Sequence, residues 1–240
     1  DLAHFFNGFD GITFIQGYGM TETAAPCLVN FQDANEVGSV GRPGCISIRL
    51  ADDDELMIKG PNVFLGYYKQ PQRTAEALTS DGWLHTGDLA TIDDRGFVFI
   101  TGRKKDIIIT AGGKNITPSE LENELKFSPY VTDAVVIGDQ RPYLVVIIMI
   151  DQENVEKYAQ DHDVPFSNYA SLTRAPEVQA LIQGVIDEVN TKFARVEQIK
   201  KFFLLDTQLS AEDEELTPTM KLKRKLVQQK YAPQIEAMYR

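Results

Sequence analysis

Val178, Leu181, Ile182, Val185, Ile186 and Val189 recur at i, i+3, i+4, i+7, i+8 and i+11, the spacing of one face of an α-helix. Elsewhere the period is two. Ile46, Ile48 and Leu50 alternate with Ser47 and Arg49, and Leu56 and Ile58 alternate with Met57 and Lys59. Val98 and Ile100, with Phe97 and Phe99, predict a further strand entered through a hairpin-type turn at Asp93-Asp94-Arg95-Gly96. The short apolar run Thr13 to Gln16 predicts a strand ending in a turn at Gly17-Tyr18-Gly19. Short strands broken by Gly and Pro, continuing to Gly102, predict a folded sheet or small β-barrel-like subdomain.

Past Gly102 the texture changes. Thr117-Pro118-Ser119-Glu120 has the form of a capping box with Pro at the first helical position, and Leu121 and Leu125 follow one turn apart. Val131 to Ile137 and Tyr143 to Ile150 predict two strands joined through Gly138-Asp139-Gln140, the run Leu144 to Ile150 being apolar enough for a buried strand. Lys201 to Leu205 predicts another strand, and acidic Glu212 to Glu215 precedes a basic stretch from Lys221 to Lys225. The expected fold class is α+β: a strand-rich part over 1–102, a charged joint at 103–106, and a compact α+β domain over 107–240. No internal repeat is present.

The 240 residues are 43% hydrophobic, enough for a real core, which excludes a wholly disordered chain. The net charge of −11 argues against bulk binding to nucleic acid or anionic lipid. The excess of acid is concentrated early: six basic and fourteen acidic residues up to Gly102, eighteen and twenty-one beyond it. Cys27 and Cys45 lack metal or redox spacing and are expected as reduced thiols, and His4, His85 and His162 are too scattered for a His-based metal site. No run approaches the ~18 apolar residues of a membrane span. The chain opens on Asp1-Leu2-Ala3-His4-Phe5-Phe6, with neither Met nor signal peptide, so a cytoplasmic piece of a longer protein is expected.

Four segments place particular polar groups on glycine-bracketed turns. In Gly17-Tyr18-Gly19-Met20-Thr21-Glu22-Thr23 the glycines let a ligand approach the main chain, Thr21 offers a donor to a phosphate, and Glu22 offers a hard oxygen to Mg²⁺. An ordinary strand and turn is the competing reading. In Gly82-Trp83-Leu84-His85-Thr86-Gly87-Asp88 the carboxylate of Asp88 suits the paired hydroxyls of a ribose, or else caps its own turn. His85 is expected as a packing or turn contact and Trp83 as core. The third segment, Gly102-Arg103-Lys104-Lys105-Asp106, suits a ribose or phosphate, or a solvated linker; it runs on to Gly112-Gly113-Lys114-Asn115-Ile116, where a Gly pair admits a long narrow ligand or forms a tight hairpin. The fourth is Leu216-Thr217-Pro218-Thr219-Met220-Lys221, a charged terminal stretch that by itself reads as a solvated face. No Walker A sequence occurs, which leaves a P-loop NTPase without support.

Taken together, in this order and spacing, these segments and Pro118-Ser119-Glu120-Leu121-Glu122 resemble the AMP-forming acyl-CoA synthetases among the adenylate-forming enzymes, with the nearest likeness to long-chain fatty acyl-CoA synthetases. The resemblance covers essentially the whole chain. It implies the end of a large AMP-binding domain followed by a mobile C-terminal lid, with ATP/AMP, Mg²⁺ and CoA as ligands and a fatty acid as the substrate. It further implies that Gly17, Tyr18 and Gly19 border the nucleotide, with Tyr18 against adenine. Thr21 would bind the α-phosphate, Glu22 would hold Mg²⁺, and Asp88 and Arg103 would bind the ribose. Lys105 would be the hinge, Gly112, Gly113 and Lys114 would line the CoA channel, and Lys221 would be the adenylation lysine. Thr219-Met220 departs from the Ser-Gly that many relatives carry before that lysine, and Lys223 and Lys225 stand close by. The family's phosphate loop is expected upstream of Gly17, so the upstream part of the same ligase is an expected partner and the isolated chain is expected to be inactive. The alternatives are a fatty acyl-AMP ligase serving a carrier protein, and a non-catalytic nucleotide- or partner-binding module. Peripheral membrane association is left open by the sequence.

Overall fold

The computed structural model describes residues 6, 8, 12–207, 209, 212–217 and 222–240. The chain divides into two compact units, Asp1–Lys105 and Asp106–Arg240.

The first unit holds two antiparallel sheets. Strands β1 (Gly17–Met20), β2 (Ala25–Val29) and β3 (Arg42–Pro43) pair in that order. Strands β4 (Ser47–Leu50) and β5 (Glu55–Lys59) precede helix α1 (Pro71–Ala77), and β6 (Leu84–Ile92) and β7 (Val98–Arg103) complete a sheet ordered β4-β5-β6-β7. Both sheets are open, so the barrel-like expectation is realised as two sheets sharing one core: Cys27 and Leu28 from β2, Leu56 and Ile58 from β5, Ala90 from β6 and Val98 from β7. The period-two reading of β4 holds, with Ile48 and Leu50 on this core and Ser47 and Arg49 exposed. The turn expected at Gly17-Tyr18-Gly19 is instead strand β1, and Thr13 to Gln16 is not a strand. Gly19 serves close approach rather than a turn: a Cβ there would lie 2.5 Å from the carbonyl oxygen of Ala25 on β2.

The second unit begins with a two-stranded hairpin, β8 (Ile108–Ile109) and β9 (Asn115–Ile116), and continues into α2 (Pro118–Lys126). The expected capping box is not formed. Thr117 makes no side-chain capping bond; Pro118 removes one orphan donor, and the Glu120 N–H closes the turn on the Thr117 carbonyl at 3.3 Å. Strands β10 (Val131–Ile137) and β11 (Leu144–Ile150) pair antiparallel. After α3 (Gln152–Asp161), α4 (Tyr169–Arg174) and α5 (Pro176–Asn190), strand β12 (Ile199–Leu204) joins β11 in parallel. Helices α6 (Arg224–Lys230) and α7 (Ala232–Met238) follow.

All seven residues of β11 are buried, because both faces of this sheet are covered. Leu144, Val146, Ile148 and Ile150 point into a core with Leu121, Leu125, Val155, Leu172 and the Val178, Ile182, Ile186, Val189 stripe of α5. Val145, Ile147 and Met149 point the other way, against Val227, Tyr231, Ile235 and Met238 of the last two helices and their flanks. One strand thus supplies two cores by simple alternation.

Ile148 is fully buried at the centre of the larger core. Ile148→Ala should therefore lower stability by about 2–5 kcal/mol, the usual cost of emptying a packed aliphatic site. Urea unfolding followed by circular dichroism measures it; a loss below about 1 kcal/mol would contradict close packing on this face.

Candidate functional site in the first unit

Strand β6 does not run evenly beside β5. Leu89 pairs with Glu55 and His85 with Met57, so Thr86, Gly87 and Asp88 lie opposite the single residue Leu56. The excess forms a bulge, and the polar atoms around it account for its shape. Thr86 Oγ1 donates to the Leu56 carbonyl at 2.7 Å and accepts from the Asp88 N–H at 3.1 Å. Gly87 sits at φ +73°, a left-handed conformation that glycine adopts without steric cost. Its N–H donates to Glu55 Oε1 at 2.9 Å.

The bulge delivers Asp88 to the β7 side of the sheet, where it pairs in register with Arg103. Asp88 is buried, and its two carboxylate oxygens are divided between two donors. The Tyr18 hydroxyl of β1 donates to Oδ2 at 2.6 Å, and Arg103 Nε lies 3.1 Å from Oδ1. Burial, together with the bond to Asp88 and its negative charge, holds the Tyr18 phenol well above the ordinary tyrosine range, so it stays a donor at physiological pH. Three residues expected at the nucleotide, Tyr18, Asp88 and Arg103, are thereby brought together. Arg103 remains exposed and Tyr18 half-buried, so a ligand can reach both.

Thr21 and Glu22 lie on a 3₁₀ turn, Thr21–Thr23, directly after β1. Buried Thr23 locks that turn, its Oγ1 accepting from the Met20 N–H and donating to the Met20 carbonyl, both at 3.0 Å. Thr21 is exposed and Glu22 half-buried, with Glu22 Oε1 accepting from the Tyr67 hydroxyl at 2.7 Å. No hydrogen bond among the described residues joins Glu22 to the Asp88 group.

Sequence reading missed the carboxylate behind the bulge. Glu55 is only 3% exposed and receives Gly87 on Oε1, and His85 Nδ1 and Lys104 Nζ on Oε2, both at 3.0 Å. Lys104 also pairs with Asp53 at 2.6 Å. His85 is thus a turn contact, as expected. Trp83 is not core: it is half-buried, with the Arg49 guanidinium 4.3 Å and the Lys59 ammonium 5.9 Å from its ring centroid. Glu55 stands at the end of the acidic run Asp52-Asp53-Asp54, which reads as a solvated turn. Nothing local sets it apart from those acids, since its partners lie 30 to 49 residues further along the chain.

Lys105 is exposed on a second 3₁₀ turn, Lys104–Asp106, at the division between the units. In the second unit, Gly112 and Gly113 are exposed at the tip of the β8–β9 hairpin, closed by Gly113 N–H to the Thr110 carbonyl at 2.8 Å. The Gly pair thus forms the turn of a hairpin. Lys114 is exposed, with its ammonium 3.4 Å from Glu197. Lys221 lies outside the described residues. Nearby, Leu222 bridges to Leu216, and its N–H donates to buried Asp133 at 2.7 Å.

Asp88, Tyr18 and Arg103 thus form one hydrogen-bonded group in the first unit, and Thr21 and Glu22 lie on the turn that follows β1. The family model for the AMP-binding enzyme C-terminal domain matches residues 105–240, and that for the AMP-binding enzyme matches residues 1–68. The chain belongs to the AMP-binding enzymes. It is 42% identical over 240 residues to the long-chain-fatty-acid–CoA ligase FadD15 of Mycobacterium bovis, covering 99% of this chain and 40% of that protein. It is 34% identical to the human long-chain-fatty-acid–CoA ligase ACSBG1, over all of this chain and 36% of that one. Among solved structures, the adenylation domain of a carboxylate reductase from Mycobacterium chelonae matches 99% of this chain and 36% of its own length at 25% identity and a TM-score of 0.77. The o-succinylbenzoate–CoA synthetase of Bacillus subtilis in complex with ATP and magnesium matches 88% of this chain and 40% of its own at 28% identity and a TM-score of 0.64. The chain thus spans about 40% or less of the length of these curated relatives. Among the described residues no helix is long and apolar enough to cross a membrane.

Burial pushes the Glu55 carboxyl up, but the bonds from His85, Lys104 and Gly87 outweigh it and hold the group below the ordinary glutamate range. A depressed native value stabilises the fold above the unfolded-state value and is lost as pH falls through the native one. The stability difference between wild type and Glu55→Gln should be full at neutral pH and shrink as pH falls below about 4, near the ordinary glutamate value. Urea unfolding at several pH values measures it; a difference that grows on acidification would contradict the depressed value.

Proposed function

We propose that this chain acts within a longer AMP-forming long-chain fatty acid–CoA ligase. The observation that carries the reading is the Tyr18–Asp88–Arg103 group on the β6 bulge, in a chain of the AMP-binding family. In the proposed reaction a fatty-acid carboxylate oxygen attacks the α-phosphorus of ATP and pyrophosphate leaves. The sulfur of CoA then attacks the acyl carbon of the adenylate, and AMP leaves. A free carboxylate resists the second attack because its charge repels a nucleophile and oxide is a poor leaving group; AMP removes both obstacles.

The residues divide this work. Asp88 accepts from the ribose hydroxyls through lone pairs that its two protein donors leave open, Arg103 contacts the same sugar, and Tyr18 packs on the adenine. Gly17 and Gly19 let the β1 backbone come near the nucleotide, and exposed Thr21 donates to the α-phosphate. Glu22 fits a Mg²⁺ ligand by its donor chemistry: it is a half-buried carboxylate next to that Thr. No group of three His, Cys, Asp or Glu able to hold a metal occurs among the described residues, so phosphate oxygens and water would complete the shell. When bound, Mg²⁺ offsets the crowded phosphate charge. Lys221 is assigned the cation that steadies the α-phosphate during adenylation. Exposed Lys105 is the hinge about which residues 107–240 turn between the half-reactions, with Gly112, Gly113 and Lys114 then lining the path of CoA.

In the ligase containing this chain, Lys221→Ala should reduce fatty-acid-dependent ATP–pyrophosphate exchange by roughly 100- to 1,000-fold, the scale of losing one preorganised charge-stabilising donor. Thioester formation from supplied acyl-adenylate should largely persist. The same split from Lys223→Ala, with Lys221→Ala silent, would move the assignment to Lys223.

Lys105→Pro fixes φ near −65° and removes a backbone N–H. The two half-reactions, assayed separately, should fall unequally if residues 107–240 must turn about this point. Equal small losses in both would place the axis elsewhere, and a parallel fall with a lower melting temperature would indicate destabilisation alone.

A further inference from the structure

Glu55 touches none of the groups assigned to the nucleotide, yet it holds the residues beside two of them. Gly87, the neighbour of Asp88, donates its N–H to Oε1 at 2.9 Å. Lys104, the neighbour of Arg103, donates to Oε2 at 3.0 Å. His85, three residues before Asp88, occupies Oε2 as well, at 3.0 Å. A carboxylate has room for these three donors, and at 3% exposure Glu55 is shielded from the water that would otherwise compete for them.

The bulge is where this matters. With three residues of β6 opposite one of β5, the ladder no longer dictates the path of Thr86 to Asp88. Two side chains take over: Thr86 fixes the Asp88 N–H from one side, and Glu55 fixes the Gly87 N–H from the other. Without the second, Gly87 is free to leave its left-handed conformation, and Asp88 turns with it. The pull on Lys104 acts at the opposite member of the ion pair, one residue past Arg103, which faces Asp88 in the β6–β7 register.

We propose that Glu55 is a positioning residue for ribose recognition, setting the Asp88 carboxylate and the Arg103 guanidinium against the sugar hydroxyls through Gly87 and Lys104. This rests on the assignment of Asp88 to the ribose. The predicted consequence is one of selectivity: loosening Asp88 weakens nucleotides that offer both hydroxyls more than those that lack one.

The test uses the ligase containing this chain and compares KM for ATP, 2′-deoxy-ATP and 3′-deoxy-ATP in the adenylation half-reaction, alongside thermal unfolding. Glu55→Gln should raise KM for ATP about tenfold and that for the worse of the two deoxy nucleotides much less, so the preference for intact ribose narrows. A merely structural role would raise all three KM values in proportion. Asp88→Asn separates the two levels of the argument. If it narrows the preference and Glu55→Gln does not, the positioning role is overturned; if Asp88→Asn itself leaves the preference intact, the ribose assignment falls. Should Glu55→Gln fail to fold, Glu55→Met with Lys104→Met removes both acceptor oxygens together with the ammonium that Glu55 shares with Asp53, and wild-type selectivity in that double variant would overturn the proposal.

Discussion

Strand β6 carries an excess of two residues against β5 between Leu89 and His85, and the polar edge of the first unit is organised by where that excess goes. A regular ladder fixes where every side chain points, alternately to one face of the sheet and the other. A bulge breaks the alternation and re-aims one side chain, while leaving ladder groups unpaired. Here the loss is offset locally by Thr86 on the Leu56 carbonyl and Glu55 on the Gly87 N–H. The result is a buried Asp88 whose carboxylate is shared between Tyr18 of one sheet and Arg103 of the other. Both partners suit the nucleotide role proposed for them. A phenol held protonated by burial and by Asp88 cannot compete as an anion, and a guanidinium cannot lose its charge.

The second unit is governed by a different constraint, the burial of β11 on both faces. A strand with no solvent side must be covered twice, and the chain does so with α2 to α5 on one face and the last two helices on the other. Buried Glu122 is placed against half-buried Arg224 as a pair. Glu122 accepts the Val136 N–H at 2.8 Å and lies 2.5 Å from Arg224, whose other nitrogen donates to the Val136 carbonyl. Burial nonetheless pushes the Glu122 carboxyl upward, so the pair ties α2, β10 and α6 together more through geometry than through free ionic attraction.

The elements that a strong period announces were legible in the sequence. The stripe of α5, the apolar run of β11 and the alternation of β4 each follow from burial, which repeats with the geometry of the element. Helices α3 and α4 carry no such period, since their apolar residues are few; only their caps, Asp151 accepting from the Asn154 N–H and Asn168 from the Ser171 N–H, mark their starts. The strand at Gly17–Met20 looks like a turn in sequence because glycine signals a turn more often than it signals close contact with a neighbouring backbone, which is its use at Gly19. For the site, Tyr18, Asp88 and Arg103 could be named from motif order, and the structure brings them together. Glu55 could not, because its partners lie 30 to 49 residues away and nothing local distinguishes it from the solvated acids before it.

Each unit has its own core, with Leu28, Leu56, Ile58 and Val98 in the first and Ile148 and Ile147 at the centres of two in the second. A turn about Lys105, as proposed, then requires no core side chain to leave its neighbours. The fixed points on either side are close in sequence. Lys104 is tied to Asp53 and Glu55, and Ile108 is already paired with Ile116. If residues 107–240 turn as proposed, Lys105 lies between these two anchored residues, and φ and ψ changes there would cost little against the several kcal/mol needed to unpack a core. In that proposed reading, the bonds of Lys104 to Asp53 and Glu55 hold the residue next to Arg103 within the first unit, so the contacts assigned to the ribose would not depend on the state of the hinge.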